Sequence, residues 1–92
     1  MVQNITLLRN LSLANRTAEF PGMLQALPAH TALTETLAMS ILQYVQRIEH
    51  VTAHERKTEY TQRLNNRLVS RGQDASLVPE IVAIAEDLNL FD

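Results

Sequence analysis

The amino-acid sequence predicts an all-α fold, an antiparallel four-helix bundle, on three observations. Its apolar content is almost entirely Leu, Ile, Val, Ala and Met, with only Phe20, Tyr44, Tyr60 and Phe91 aromatic. Its apolar residues recur at steps of three and four, the spacing of a helix face. The periodic stretches are separated by turn-forming residues, Pro21-Gly22 early and Gly72 to Ser76 late. Ninety-two residues make one domain, 1–92, with a modest core. Apolar residues at 46% and charged ones at 20% place the chain among folded rather than disordered sequences.

The first element starts at Asn4, where Ile5, Leu7, Leu8, Leu11 and Ala14 form an amphipathic stripe avoiding Arg9 and Arg16. It is expected to end near Phe20, because Pro21 disfavours helix at the preceding residue and Gly22 offers turn geometry. "FPGMLQALPAH" then reads as a connector with one helical turn at Met23 to Leu27, its Leu24 and Leu27 plugging the bundle end. The second helix has the most regular pattern: Leu33, Leu37, Ile41, Tyr44 or Val45, Ile48, and Val51 or Thr52 step through five turns. Thr31 or Thr34 caps its start, and Glu35 lies in the first turn, where the helix dipole favours an anion.

Between Val51 and Arg56 the pattern weakens, which suggests a bend before a third helix running to Arg71. No Pro or Gly separates the two, so one long continuous helix stays open. The third helix has a narrow apolar stripe of Tyr60, Leu64, Leu68 and Val69, and its remaining surface is basic. Gly72 marks its end, since glycine tolerates the positive φ that follows many helices. Arg67 and Arg71 complement the negative end of the dipole. "QDAS" supplies turn and cap residues, and Pro79 suits a first helical turn. Helix four turns Ile81, Ile84, Ala85 and Leu88 inward, and Leu90 and Phe91 close the bundle end. No internal repeat or low-complexity segment is visible.

The net charge of −2 hides a division along the chain. Arg9 and Arg16 balance Glu19 and Glu35 in the first half. Arg47, Arg56, Lys57, Arg63, Arg67 and Arg71 then outnumber Glu49, Glu55 and Glu59, while Gly72 to Asp92 holds acids and no base. The boundary falls at Gly72. Cysteine is absent, which removes disulfides, thiol nucleophiles and cysteine-ligated zinc and fits a reducing cytosol. Polar residues interrupt the N-terminal leucines, unlike a secretory signal, and no run approaches the roughly 20 apolar residues of a membrane span. A cytoplasmic protein is expected.

Candidate chemistry is sparse. His50 and His54 at i, i+4 would share a helix face, but "HVTAH" lacks the glutamate of the HExxH pattern and no third ligand is placed by spacing. Two solvated histidines is the preferred reading, with no metal and no cofactor. Glu55 and Glu59, among Arg56, Lys57 and Arg63, read as exposed i, i+4 ion pairs. Nothing sets a carboxylate beside a nucleophile, so no enzyme is expected. The basic face of residues 56–71 could meet phosphate, yet the acidic chain, the missing helix-turn-helix spacing and the few polar readers beyond Gln62, Asn65 and Asn66 argue against nucleic acid. A solvated face, or a docking surface for an acidic protein or lipid headgroups, fits better.

The order of parts, with "LTETLAMSILQYVQRI" and "RLNNRLVSRGQDASLVPEIVAIAEDLNL", resembles the four-helix immunity proteins that protect lactic acid bacteria from their own pediocin-like bacteriocins. The resemblance covers residues 31–90. It implies a non-enzymatic cytosolic protein that blocks the assembly of bacteriocin and receptor at the mannose phosphotransferase permease, a membrane sugar transporter. It places specificity in the C-terminal half, with Arg63, Arg67, Arg71, Gln73, Asp74, Asn89 and Phe91 as candidate partner-binding residues. Two other classes remain: a regulatory adaptor or antitoxin that binds a protein through the third helix, and a DNA-binding helical dimer.

Overall fold

The structure, a computed structural model, describes residues 12–92. Among the described residues it holds four helices and no strand: α1 (Leu13–Gln25), α2 (Ala32–Gln46), α3 (Ala53–Ser70) and α4 (Val78–Asp87). The all-α expectation is met. Ile5, Leu7, Leu8, Arg9 and Leu11 of the expected first helix lie outside the described residues. Each helix packs on the next, and α4 returns against α1. Short connections make sequential neighbours antiparallel. Side-chain bonds agree: Gln25 meets Glu35 and Thr17 meets Gln46 across α1 and α2, while Lys57 meets Glu86 across α3 and α4.

Ser12 caps α1, its hydroxyl accepting from Asn15 N at 3.2 Å. The helix does not stop at Phe20 but continues through Pro21 and Gly22 to Gln25. Phe20 and Leu24, one turn apart and therefore on one face, are both buried. Burying two such side chains yields about 1.5–3 kcal/mol each, enough to outweigh the roughly 3 kcal/mol that an interior proline costs a helix. Pro21→Ala is accordingly expected to raise stability by about 2 kcal/mol, the helix gain less the loss of proline's restraint on the unfolded chain. A Cβ at Gly22 meets nothing within 4 Å, so Gly22→Ala should add about 0.5–1 kcal/mol. Urea unfolding midpoints would check both, and a lower midpoint for either would show that α1 breaks at this point.

At the start of α2 the choice of cap resolves to Thr31, whose Oγ1 accepts from Thr34 N at 3.0 Å. Glu35 sits in the first turn, its carboxyl held below the ordinary range by hydrogen bonds from His30 and Gln25. Val45 takes the inward position and leaves Tyr44 47% exposed. The expected fifth turn is absent, because α2 ends at Gln46 and leaves Ile48 and Val51 in the connector. His50 there adopts a left-handed backbone, φ 64°. Helices α2 and α3 are therefore separate.

What separates them is a capping box rather than Pro or Gly. Thr52 Oγ1 accepts from Glu55 N and Glu55 Oε1 accepts from Thr52 N, both at 3.1 Å, so two orphan donors are satisfied reciprocally. The bond from Thr52 N, with the Thr52 hydroxyl beside it, holds the Glu55 carboxyl below its ordinary pKa. Along α3 the stripe of Tyr60, Leu64 and Leu68 is buried, but Val69 is 60% exposed and does not belong to it. Val69 is one residue past Leu68, a 100° rotation that carries it toward solvent.

Gly72 ends α3 at φ 71°, with Gln73 N donating to Leu68 O at 2.8 Å and Gly72 N to Val69 O at 3.0 Å. This is a Schellman closure. In the following turn Asp74 Oδ1 accepts from Ser76 N at 2.9 Å, which lowers the Asp74 pKa. "QDAS" makes the turn but not the cap: Leu77 holds that position without a side-chain bond, and Pro79 occupies the first turn of α4. Val78 and Val82 join Ile81 and Ala85 in the core, while Ile84 and Leu88 are half-buried against it.

The end of α4 repeats the closure with asparagine. Asn89 has φ 55°, its N–H reaches Glu86 O at 2.9 Å, and Leu90 N reaches Ala85 O at 3.0 Å. Leu90 and Phe91 are buried as expected. The backbone from Leu88 to Phe91 is held by the three other helices. Arg16 Nε donates to Leu88 O at 3.1 Å and its Nη2 to Asn89 O at 3.4 Å. Gln46 Nε2 donates to Leu90 O at 3.2 Å, and Arg56 Nη1 to Phe91 O at 2.9 Å. Four successive carbonyls thus find donors on α1, α2 and α3.

Candidate functional site: the arginine edge of helix α3

The basic block of the sequence splits into two groups once the helices pack. Arg56 belongs to the architecture: besides Phe91 O, its Nε and Nη2 donate to Ile48 O at 3.3 and 3.0 Å. It is half-buried and so is not part of an exposed basic face. Lys57 Nζ lies 2.9 Å from Glu86 Oε2, which ties α3 to α4. Part of the acidic tail is thereby neutralised within the molecule.

Arg63, Arg67 and Arg71 form the second group. They follow one another at i, i+4 and i+8 along α3 and its C-cap and, with α2, border a groove of about 460 Å³ whose α2 wall includes Leu33, Leu37, Ser40 and Ile41. The stripe exists because Leu64 and Leu68 bury the adjoining face of the helix and turn these positions to the rim. Arg63 is engaged within the chain: its Nε donates to Glu59 Oε2, the pair expected from the sequence. Its Nη2 donates to Tyr44 Oη at 3.2 Å, with the guanidinium carbon 4.3 Å from the centre of the Tyr44 ring. A cation over an aromatic face adds attraction to the hydrogen bond. Arg67 and Arg71 make no side-chain hydrogen bond or ion pair among the described residues. Residues 1–11 contain no Asp or Glu that could pair with them.

The seven candidate partner-binding residues do not form one site. Gln73 is half-buried and Asp74 exposed; both come just after Arg71 and Gly72, at the same end of the bundle, and serve the helix closure and the turn. Asn89 and Phe91 belong to the opposite end. Asn89 takes the left-handed position after α4, and Phe91, 3% exposed, packs at 5.4 Å from the Tyr60 ring. A residue that fills the core cannot meet a partner while the protein stays folded, so Phe91 leaves the set. Asn89 could have been read differently from the sequence, because asparagine just after a helix is a recognised left-handed closure.

The residue that the sequence reading missed is Tyr44. Its exposure was undecided by a spacing that allowed either Tyr44 or Val45 inside, and its contact with Arg63 joins positions 19 apart in the chain. His50 and His54 do not share a helix face: His50 stands in the connector, with its side chain 94% exposed, and His54 begins α3. No cluster of three or more potential metal ligands occurs among the described residues. No described helix is long and apolar enough to cross a membrane.

The arginine edge therefore combines two cations unpaired among the described residues, a partly apolar floor and an aromatic stop, an arrangement that can hold an anionic group beside an apolar one. No protein-family model, curated protein or solved structure matches the chain.

Proposed function

We propose that this chain is a non-catalytic binding module that engages a protein partner through the α2/α3 groove. The observation that carries the reading is the contrast within the basic block. Arg56, Lys57 and Arg63 are engaged in internal contacts, while Arg67 and Arg71 border a groove of mixed polar and apolar lining and have no side-chain partner among the described residues. Exposed arginines with adjacent aromatic and aliphatic surface are favoured anchors of protein interfaces.

Bacteriocin immunity is the narrower form of this proposal, supported by the resemblance over residues 31–90 and by the packing of the four helices among the described residues. In that form the partner is the receptor with its bacteriocin, and the protein works in the cytoplasm. A bacteriocin-sensitive strain expressing the wild type should gain tolerance to at least one pediocin-like peptide. Arg67→Glu/Arg71→Glu should lower that tolerance at least tenfold while circular dichroism stays near wild type, because both side chains are exposed; the unfolding midpoint should fall only slightly, as acids replace bases at the negative end of the α3 dipole. Wild-type tolerance absent across a panel of peptides would remove the immunity form. Full tolerance in the doubly reversed variant would remove the groove as its surface.

A further inference from the structure

We infer that the occupant of the α2/α3 groove is an acidic amphipathic helix, carrying two carboxylates four residues apart with an apolar side chain on the same face. This rests on the binding-module reading above and names the chemistry of its partner.

The number of charges follows from which arginines are free. Arg63 is already held by Glu59 and Tyr44, so it acts as a fixed stop at one end of the groove. Arg67 and Arg71 remain, separated by one helical turn, about 6 Å along the axis. Carboxylates at i and i+4 on a second helix repeat at the same interval, so a helix lying along α3 would bring one to each guanidinium. Charge-assisted bonds from arginine to carboxylate would then form a pair rather than a single contact.

The backbone form of the occupant follows from the walls. Both are helices, whose interior N–H and C=O groups are taken up by their own ladders. An extended peptide would find no backbone partners there, whereas a helix satisfies its own and offers side chains only. The apolar requirement comes from the groove floor beside the arginines, where Leu33 is half-buried and Tyr44 47% exposed, while Leu37 and Ile41 beneath them are already closed off in the core. A hydrophilic polyanion would leave that floor uncovered. Glu59 at the stop and the chain's net charge of −2 would also repel a continuous phosphate backbone while leaving room for two localised charges.

The test uses the whole protein and a capped 16-residue alanine-based helical peptide with two glutamates four apart and leucines on the same face. Saturable shifts of the Arg67 and Arg71 Nε–Hε resonances are expected, with affinity falling at least tenfold when both glutamates become glutamine. A peptide with its glutamates two apart should also bind at least tenfold more weakly. Arg67→Glu/Arg71→Glu should lose the original peptide and gain one carrying two lysines in place of the glutamates. Equal binding of the glutamine peptide, or failure of the lysine peptide to restore binding, would overturn the inference. So would arginine-dependent binding of anionic phosphatidylglycerol vesicles or of a DNA duplex without peptide binding. The two readings fail separately. Loss of protection on charge reversal with no peptide binding leaves the groove as the functional surface and removes the acidic helix. Specific peptide binding with protection unaffected by reversal keeps the groove chemistry and removes its proposed role.

Discussion

Replacing Tyr60 with alanine is expected to destabilise the protein by about 3–5 kcal/mol, the range for truncating a large aromatic side chain in a core. For a domain of this size that is a large share of the 5–15 kcal/mol that typically separates folded from unfolded states. Tyr60 is fully buried at the middle of α3, with its ring tilted against Phe91 and its hydroxyl donating to Ala38 O at 3.0 Å. It therefore joins α3 to α2 and to the segment after α4 at one point. Burial pushes the phenol pKa well above its ordinary value, so the hydroxyl remains a neutral donor across the working pH range. Tyr60→Phe separates packing from hydrogen bonding. It keeps the ring and removes one bond, and should cost about 0.5–1.5 kcal/mol. The Ala38 carbonyl keeps its place in the α2 ladder, which limits the loss. Urea or thermal unfolding of both variants measures the two contributions. A Tyr60→Phe loss as large as that of Tyr60→Ala would mean that the bond, not the ring, holds this junction.

Arg56→Ala should produce the second large loss, about 2–3 kcal/mol, as hydrogen bonds from a charged donor are removed and two carbonyls lose a partner. One guanidinium spans Ile48 O, in the connector before α3, and Phe91 O, beyond α4. Its planar fork serves both. Arg56→Lys should recover little, because a single ammonium cannot span both carbonyls in the same plane. Amide exchange at Leu90 and Phe91 would report the effect locally, with faster exchange in both variants. Rescue by lysine to near wild-type stability would show that charge alone is what this position supplies. Arg67→Ala provides the contrast: the side chain is exposed and unpaired, so its removal should change stability by less than about 0.5 kcal/mol.

Much of the fold was legible from local patterns. The i, i+4 stripes of Leu37 and Ile41 and of Tyr60, Leu64 and Leu68 announced the core faces, and Gly72 announced the end of α3. These are properties of a single helix and its terminus. The errors share a cause. Phe20 was expected to end α1 because Pro21 breaks isolated helices; burial of Phe20 and Leu24 overrides that local preference. Ile48 and Val51 continued the α2 period, yet the Thr52–Glu55 capping box stops that helix from running into α3. Val69 lay next to the stripe in sequence and outside it in rotation.

The candidate site was legible only as a count of charges. The sequence by itself determined that Arg63, Arg67 and Arg71 lie along one side of a helix, since a spacing of four residues returns nearly a full turn. Only the tertiary structure decided which bases are free. Arg56 and Lys57 have the same local chemistry as Arg67 and Arg71, but packing brings the former pair to Phe91 O and Glu86 and leaves the latter at a groove rim. The physical reason is that helix periodicity is set by bonds within a few residues. Whether a charge finds a partner depends instead on residues far away in the chain, such as the 35 positions that separate Arg56 from Phe91.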